Sequence, residues 1–231
     1  MTFCRCSRRG LLGAVLAGAV GIACGMLAPS VQAQTDQELI VTKSEITVQE
    51  LYQNPNFPQV RRYVDAAVAV VIVPELIRGG FFVGGEGGNS VIMRRTASGA
   101  WSAPAFYDIA AGSVGLQFGG QVSQMLLAVM TEEGLAALLE RRVTLGADLS
   151  VAVVTEGIGG DVRSGLDLDA DMYAFQENQG LFIGGALEGS VLFEDQDDNI
   201  LYYGPGATAE AIFAGQFENP QANGLRAALD R

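Results

Sequence analysis

The chain has 231 residues, with 14 Lys plus Arg against 26 Asp plus Glu, a net charge of −12, and no histidine, which removes Ser-His-Asp triads, H-E-x-x-H zinc helices and every other imidazole-dependent mechanism. All three cysteines, Cys4, Cys6 and Cys24, lie close to the N-terminus, so the remainder offers no thiol nucleophile, disulfide or Cys/His zinc site. At 49% apolar and 17% charged the composition is globular and the length suits one domain, while 30 glycines mark a backbone that bends sharply or approaches itself closely.

The first segment reads as an export signal. Arg5, Arg8 and Arg9 precede a run from Gly10 to Thr35 with no charged residue, and Val31-Gln32-Ala33 has the small-x-small spacing of a cleavage site. Ser7-Arg8-Arg9-Gly10-Leu11-Leu12 resembles the twin-arginine export consensus. The expected mature chain begins at Gln34, with 11 basic residues against 26 acidic ones, net −15, in the periplasm or beyond. Ile22-Ala23-Cys24 offers a competing lipobox reading, although Gly21 stands where a lipobox usually has leucine. Net charge of this sign makes nucleic acid a poor partner, since binding it depends on neutralising phosphates.

Residues 34–59 form a polar N-terminal segment. Thr47-Val48-Gln49-Glu50 has capping-box spacing and predicts a short helix that stops before Asn54-Pro55. A second helix is predicted from Pro58, with Phe57, Val60, Tyr63, Val64 and Ala67 on one face and Arg61, Arg62 and Asp65 on the other. Residues 68–73 are apolar and mostly β-branched, a buried strand expected to close at Pro74. From Gly79 to Gly204 short apolar runs are cut by Gly, Asn, Asp and Ser, the mark of antiparallel strands, with a turn at Ser98-Gly99 before Trp101. One helix, capped by Thr131, is predicted to run to Arg141, and the tail after Thr208 reads as two helical pieces broken at Asn219-Pro220. The pattern G-Φ-x-Φ-G-G, with Φ apolar, begins at Gly80, Gly115 and Gly180, and Ser90-Val91-Ile92 is echoed by Ser190-Val191-Leu192. Glycines repeated inside strands predict bulges and corners. The fold class is therefore α+β: a predominantly antiparallel, strongly bent sheet or partly closed β-barrel with short flanking helices.

Conventional sites are scarce. None of the glycine turns is followed by Lys-Ser or Lys-Thr, and none has G-x-G-x-x-G between strand and helix, so no nucleotide loop is read. Asp167-Leu168-Asp169-Ala170-Asp171 and Asp195-Gln196-Asp197-Asp198-Asn199 look like the beginnings of calcium loops, but Met172 and Ile200 stand where an EF-hand needs glycine. They read as solvated loops, with a weak calcium site as the alternative. No cofactor, no metal and no catalytic residue is expected. Three basic doublets, Arg61-Arg62, Arg94-Arg95 and Arg141-Arg142, supply the local positive charge, and guanidinium pairs of this kind suit phosphate oxygens.

Ala69-Val70-Val71-Ile72-Val73-Pro74, Gly84-Gly85-Glu86-Gly87, Gly99-Ala100-Trp101-Ser102-Ala103-Pro104-Ala105-Phe106, Gly112-Ser113-Val114-Gly115 and Leu187-Glu188-Gly189-Ser190 occur in an order that resembles the SYLF domain family. The resemblance covers residues 60–204 and leaves 205–231 as a C-terminal helical tail. It implies a phospholipid-binding module of the envelope, non-catalytic, with a basic amphipathic segment at the domain's N-terminus. The expected contact is Arg61 and Arg62 beside the apolar stripe of Val60, Tyr63 and Val64, with Arg94 and Arg95 as the next candidates. Trp101 is either a hairpin side chain packed on the sheet or a ligand contact. The competing expectation is a structural or scaffolding protein that meets an envelope protein partner through its sheet surfaces.

Overall fold

Residues 69–73 are apolar at every position, which suits a strand covered on both faces rather than one with a wet side. In the computed structural model, which describes residues 35–80, 83–114, 119–140, 142–154, 170–179, 187 and 189–231, they open β1 (Ala69–Gly80). Ala69, Val71 and Val73 point into one hydrophobic core and Val70 and Ile72 into another. The same alternation divides Met125, Leu127 and Val129 from Leu126 and Ala128 on β4 (Gly119–Val129).

The other strands are β2 (Val83–Arg94), β3 (Ala105–Val114), β5 (Arg142–Thr144), β6 (Val151–Val154), β7 (Met172–Gln179) and β8 (Val191–Glu194). They form one eight-stranded sheet in the order β5-β8-β3-β2-β1-β4-β7-β6, antiparallel except for β6 against β7. The sheet curls into a half-barrel, as expected from the glycine-punctuated strands. Its register places Gly112, Gly85, Gly79 and Gly120 side by side across four strands, a row without side chains to resist coiling. One face carries α3 (Glu132–Leu138) and α5 (Ala209–Phe213); the other carries α1 (Asp36–Gln53), α2 (Val60–Ala66) and α6 (Asn223–Leu229).

Four local expectations are corrected. The first helix does not start at Thr47: α1 has 18 residues and a full capping box in which Thr35 Oγ1 accepts from the Glu38 amide at 3.2 Å and the Glu38 carboxylate accepts from the Thr35 amide at 3.1 Å. Thr47 is buried mid-helix and donates to Gln124 Oε1 at 3.2 Å. Pro74 does not end β1, because it sits in a bulge where the register to β4 shifts between Val73 and Leu76, a place that tolerates its missing N–H. α3 ends at Leu138, and Arg142 opens β5. Asp195 to Asn199 is not a loop: Asp195 caps α4 (Gln196–Tyr203), accepting from the Asp198 amide at 2.9 Å, and acids in the first turn suit the positive end of a helix. The second-helix, Ser98-Gly99, Thr131-cap and two-piece tail expectations hold, with Gly99 at φ 84° and a 3₁₀ turn (Pro220–Ala222) starting the last piece. The leader, Arg141, Asp167, Asp169, residues 115–118 of the second repeat and the repeat beginning at Gly180 lie outside the described residues.

Candidate functional sites

The side chains expected to form a contact stripe on α2 are placed in two different environments. Val60, Tyr63 and Val64 are 1%, 5% and 0% exposed, packed in the core under α1 and α6. Tyr63 stacks against Tyr173 with ring centroids 4.6 Å apart and lies 5.6 Å from Phe175. An apolar stripe used in this way cannot also enter a bilayer, so that part of the expectation is corrected. Arg61 and Arg62 do face solvent, but Arg61 rests over the Tyr52 ring at 4.9 Å and donates to the Arg231 carbonyl.

Exposed apolar surface lies elsewhere. On α1, Leu39, Lys43 and Ile46 follow one another at i, i+4 and i+7 and share a stripe. Beside them, Ile77 of β1 and Val122 of β4 are direct register partners and project to the same side of the sheet. Leu39, Ile46, Ile77 and Val122 are 41%, 47%, 59% and 41% exposed. Two clefts, of about 390 and 190 Å³, join them: Leu39 and Ile77 line the first, Ile46 and Val122 the second, and Lys43, Pro74 and Glu75 line both. Lys43 Nζ pairs with Glu75 at 2.7 Å in the middle. At the far side of the first cleft, Gln37 Nε2 donates to Asp198 at 2.8 Å and Asn89 Nδ2 to Asp108 at 3.0 Å. Burial first, then the neighbouring Asp195 and Asp198, push the Asp108 carboxyl up to about 6. Burial likewise raises Asp198.

The remaining candidates sit where β2 ends. Trp101 is 3% exposed, with the Arg95 guanidinium over its ring at 4.1 Å. Arg95 also donates to the Gly99 carbonyl at 2.9 Å and to the Val64 carbonyl at 3.4 Å, so the doublet and α2 meet through one arginine. Arg94, half-buried, lines a separate groove of about 530 Å³ together with Trp101, Phe213 and Arg226. The sequence pattern points to Arg94, Arg95 and Trp101 but not to Leu39, Ile46, Ile77 and Val122; the signal for Leu39 and Ile46 is an apolar and basic stripe inside α1, which begins at Asp36 rather than near Thr47, while Ile77 and Val122 lie on strands. Among the described residues no group of three or more acids, cysteines or histidines is arranged to hold a metal ion.

A family profile described as Ysc84, Las17-binding protein actin regulator, matches residues 110–231. The chain belongs to this Ysc84/SYLF family. Human SH3 domain-containing YSC84-like protein 1 is 31% identical over 170 residues, 73% of this chain and 50% of its own length. An SH3 domain-containing protein of Schizosaccharomyces pombe is 29% identical over 155 residues, 66% of this chain and 36% of its own, and LAS seventeen-binding protein 3 of Saccharomyces cerevisiae is 28% identical over 150 residues, 64% and 33%. The chain thus spans a third to a half of the length of the curated relatives it matches. The SYLF family resemblance therefore stands, and the region matched by the profile runs from residue 110 through α5 and α6 to the C-terminus.

Proposed function

We propose that the protein is a non-catalytic phospholipid-binding module, exported to the envelope, that meets the bilayer surface through the patch of Leu39, Ile46, Ile77 and Val122. The observation that carries this reading is the gathering of four exposed large apolar side chains from three elements around a single lysine. Fully burying such a side chain is worth about 1.5–3 kcal/mol, against about 1 kcal/mol for a basic residue near an anionic surface. Lys43 is already paired, and the chain carries −12 overall, so apolar insertion outweighs attraction to charged lipid. Binding is then expected with zwitterionic vesicles as well as anionic ones, and with little sensitivity to salt.

A second reading is favoured by the relatives' names, which describe Las17-binding proteins: the same patch docks a protein partner. Co-sedimentation with phosphatidylcholine and phosphatidylglycerol vesicles separates the two. Under the lipid reading both vesicles carry the protein down, and the double substitution Leu39→Glu, Ile77→Glu lowers the bound fraction at least tenfold with unchanged far-ultraviolet circular dichroism. Failure of the wild type to sediment with either vesicle overturns the lipid reading in favour of a protein partner. Export is checked by mass spectrometry of the protein from its native host, with an N-terminus at Gln34 expected and diacylglycerol on Cys24 as the overturning result.

A further inference from the structure

Arginine stays charged at every physiological pH, and a guanidinium withdrawn from water without an acceptor is costly. In a chain with 26 acids and 14 bases, partners are abundant. Among the described residues, half-buried cations have found them: Lys43 with Glu75, Arg78 with Glu86, Arg226 with Glu218, and Arg95 on the Trp101 ring and two carbonyls. Arg62 and Arg142 stand in solvent. Arg94 is different. Its Nε, like that of Arg95, is enclosed without an acceptor, but the terminal nitrogens of Arg95 donate to two carbonyls, whereas among the described residues no carboxylate pairs with Arg94. Its neighbour Trp101 also encloses an Nε1–H without an acceptor, a second unmet donor beside the same groove.

We infer that this groove is a binding site for a small molecule bearing an oxyanion, a phosphate or carboxylate group seated on Arg94. The second guanidinium at the groove, Arg226, is fixed in place by the Ser102 carbonyl at 3.2 Å, Asn223 Oδ1 at 3.2 Å and Glu218 at 2.5 Å. Glu218 is the carboxylate among the lining residues, and it neutralises Arg226. The lining therefore keeps one net positive charge, that of Arg94, in a strongly acidic protein. A groove of about 530 Å³ exceeds what a bare ion fills and matches small-molecule sites. Phe213, which keeps some exposed surface, supplies an apolar wall for the organic part of the ligand. The site shares no residue with the proposed membrane patch, so either can fail without the other.

Trp101 is the chain's one tryptophan, which makes its fluorescence a reporter of this groove. The purified protein is titrated with inorganic phosphate, glycerol 3-phosphate and acetate, each against sodium chloride at matched ionic strength, and with vesicles containing phosphatidylglycerol. A saturable change with at least one oxyanion, absent with chloride, is expected; response to soluble anions identifies a free ligand, and response to vesicles alone identifies a lipid head group. Arg94→Gln should weaken binding at least tenfold, Arg94→Lys less, and Arg142→Gln not at all. Should Arg94→Gln not fold, Glu218→Gln serves instead, with binding tightened severalfold by loss of the competing carboxylate. A chloride response equal to that of the oxyanions, unchanged affinity in folded Arg94→Gln, or unchanged affinity in Glu218→Gln overturns the assignment.

Discussion

A Cβ placed on Gly88 would overlap the main-chain carbonyl oxygen of Glu75. The bulge containing Pro74 and Glu75 shifts the β1–β2 register between Ile72 and Ile77 and brings one backbone against the other, so the glycine on β2 and the proline on β1 belong to one device. That device also sets Glu75 beside Lys43 and turns Ile77 outward. Gly88→Ala is expected to destabilise by about 1–3 kcal/mol, as overpacking does. Gly112→Ala, where an added Cβ meets nothing within 4 Å, should stay within about 0.5 kcal/mol of wild type. Urea unfolding of the two variants checks the contrast.

Asn199 fastens α4 to the sheet. It is fully buried, and its Oδ1 accepts from the Phe106 amide at 2.8 Å while its Nδ2 donates to the Phe106 carbonyl at 3.4 Å and to Glu194 at 3.3 Å. Removing the amide leaves a buried main-chain N–H without an acceptor, which costs about 1–3 kcal/mol. Asn199→Leu should therefore lower the unfolding midpoint although it is more apolar than asparagine. A midpoint equal to wild type would show that another group serves Phe106.

What the sequence disclosed follows from how local each signal is. The glycine spacing announced a bent antiparallel sheet, and Thr131, Thr208 and Asn219 mark the helix and 3₁₀ starts they cap. Thr47 misled because capping-box spacing recurs by chance inside a helix; Thr35 and Glu38 had the same spacing and the true cap. Asp195 resembles the start of a calcium loop because a helix start and a metal loop both gather acids; the Asp195 cap on the Asp198 amide and the burial of Asn199 make it a helix start. Periodicity identified the apolar face of α2 correctly but not what covers it. Whether Val60 and Tyr63 meet lipid or core depends on α1 and α6, and α6 is more than 150 residues away along the chain.

That placement gives opposite expectations for neighbours on α2. Tyr63→Ala removes a ring packed on Tyr173 and Phe175 and should cost about 3 kcal/mol or more, as large-to-small changes of buried aromatics do. Arg62→Ala alters an exposed side chain and should change stability by less than about 0.5 kcal/mol. Thermal unfolding of both variants tests this. A near-neutral Tyr63→Ala would return that residue to the surface.

Acidification should stabilise the fold through Asp108. Burial, with Asp195 and Asp198 close by, raises its carboxyl from the ordinary 3.8 to about 6, while the Asn89 hydrogen bond works in the opposite direction. Between those two values the folded chain holds a proton that the unfolded chain has released, so this group's contribution to stability grows as pH falls from 7 towards 4 and is lost as pH rises through 6. Asp198, also raised mainly by burial, adds in the same sense. Asp171 acts oppositely, because hydrogen bonds from Ser150 lower its carboxyl, but its contribution is lost only as pH drops below the ordinary carboxylate value and so leaves the window from 5 to 7 untouched. Asp108→Asn keeps the size and the polar contact while removing the titration. The wild-type unfolding midpoint at pH 5 minus that at pH 7 should exceed the same difference in Asp108→Asn, and the variant should be the more stable protein at pH 7. Equal differences in the two proteins would mean that Asp108 titrates as an ordinary surface carboxylate.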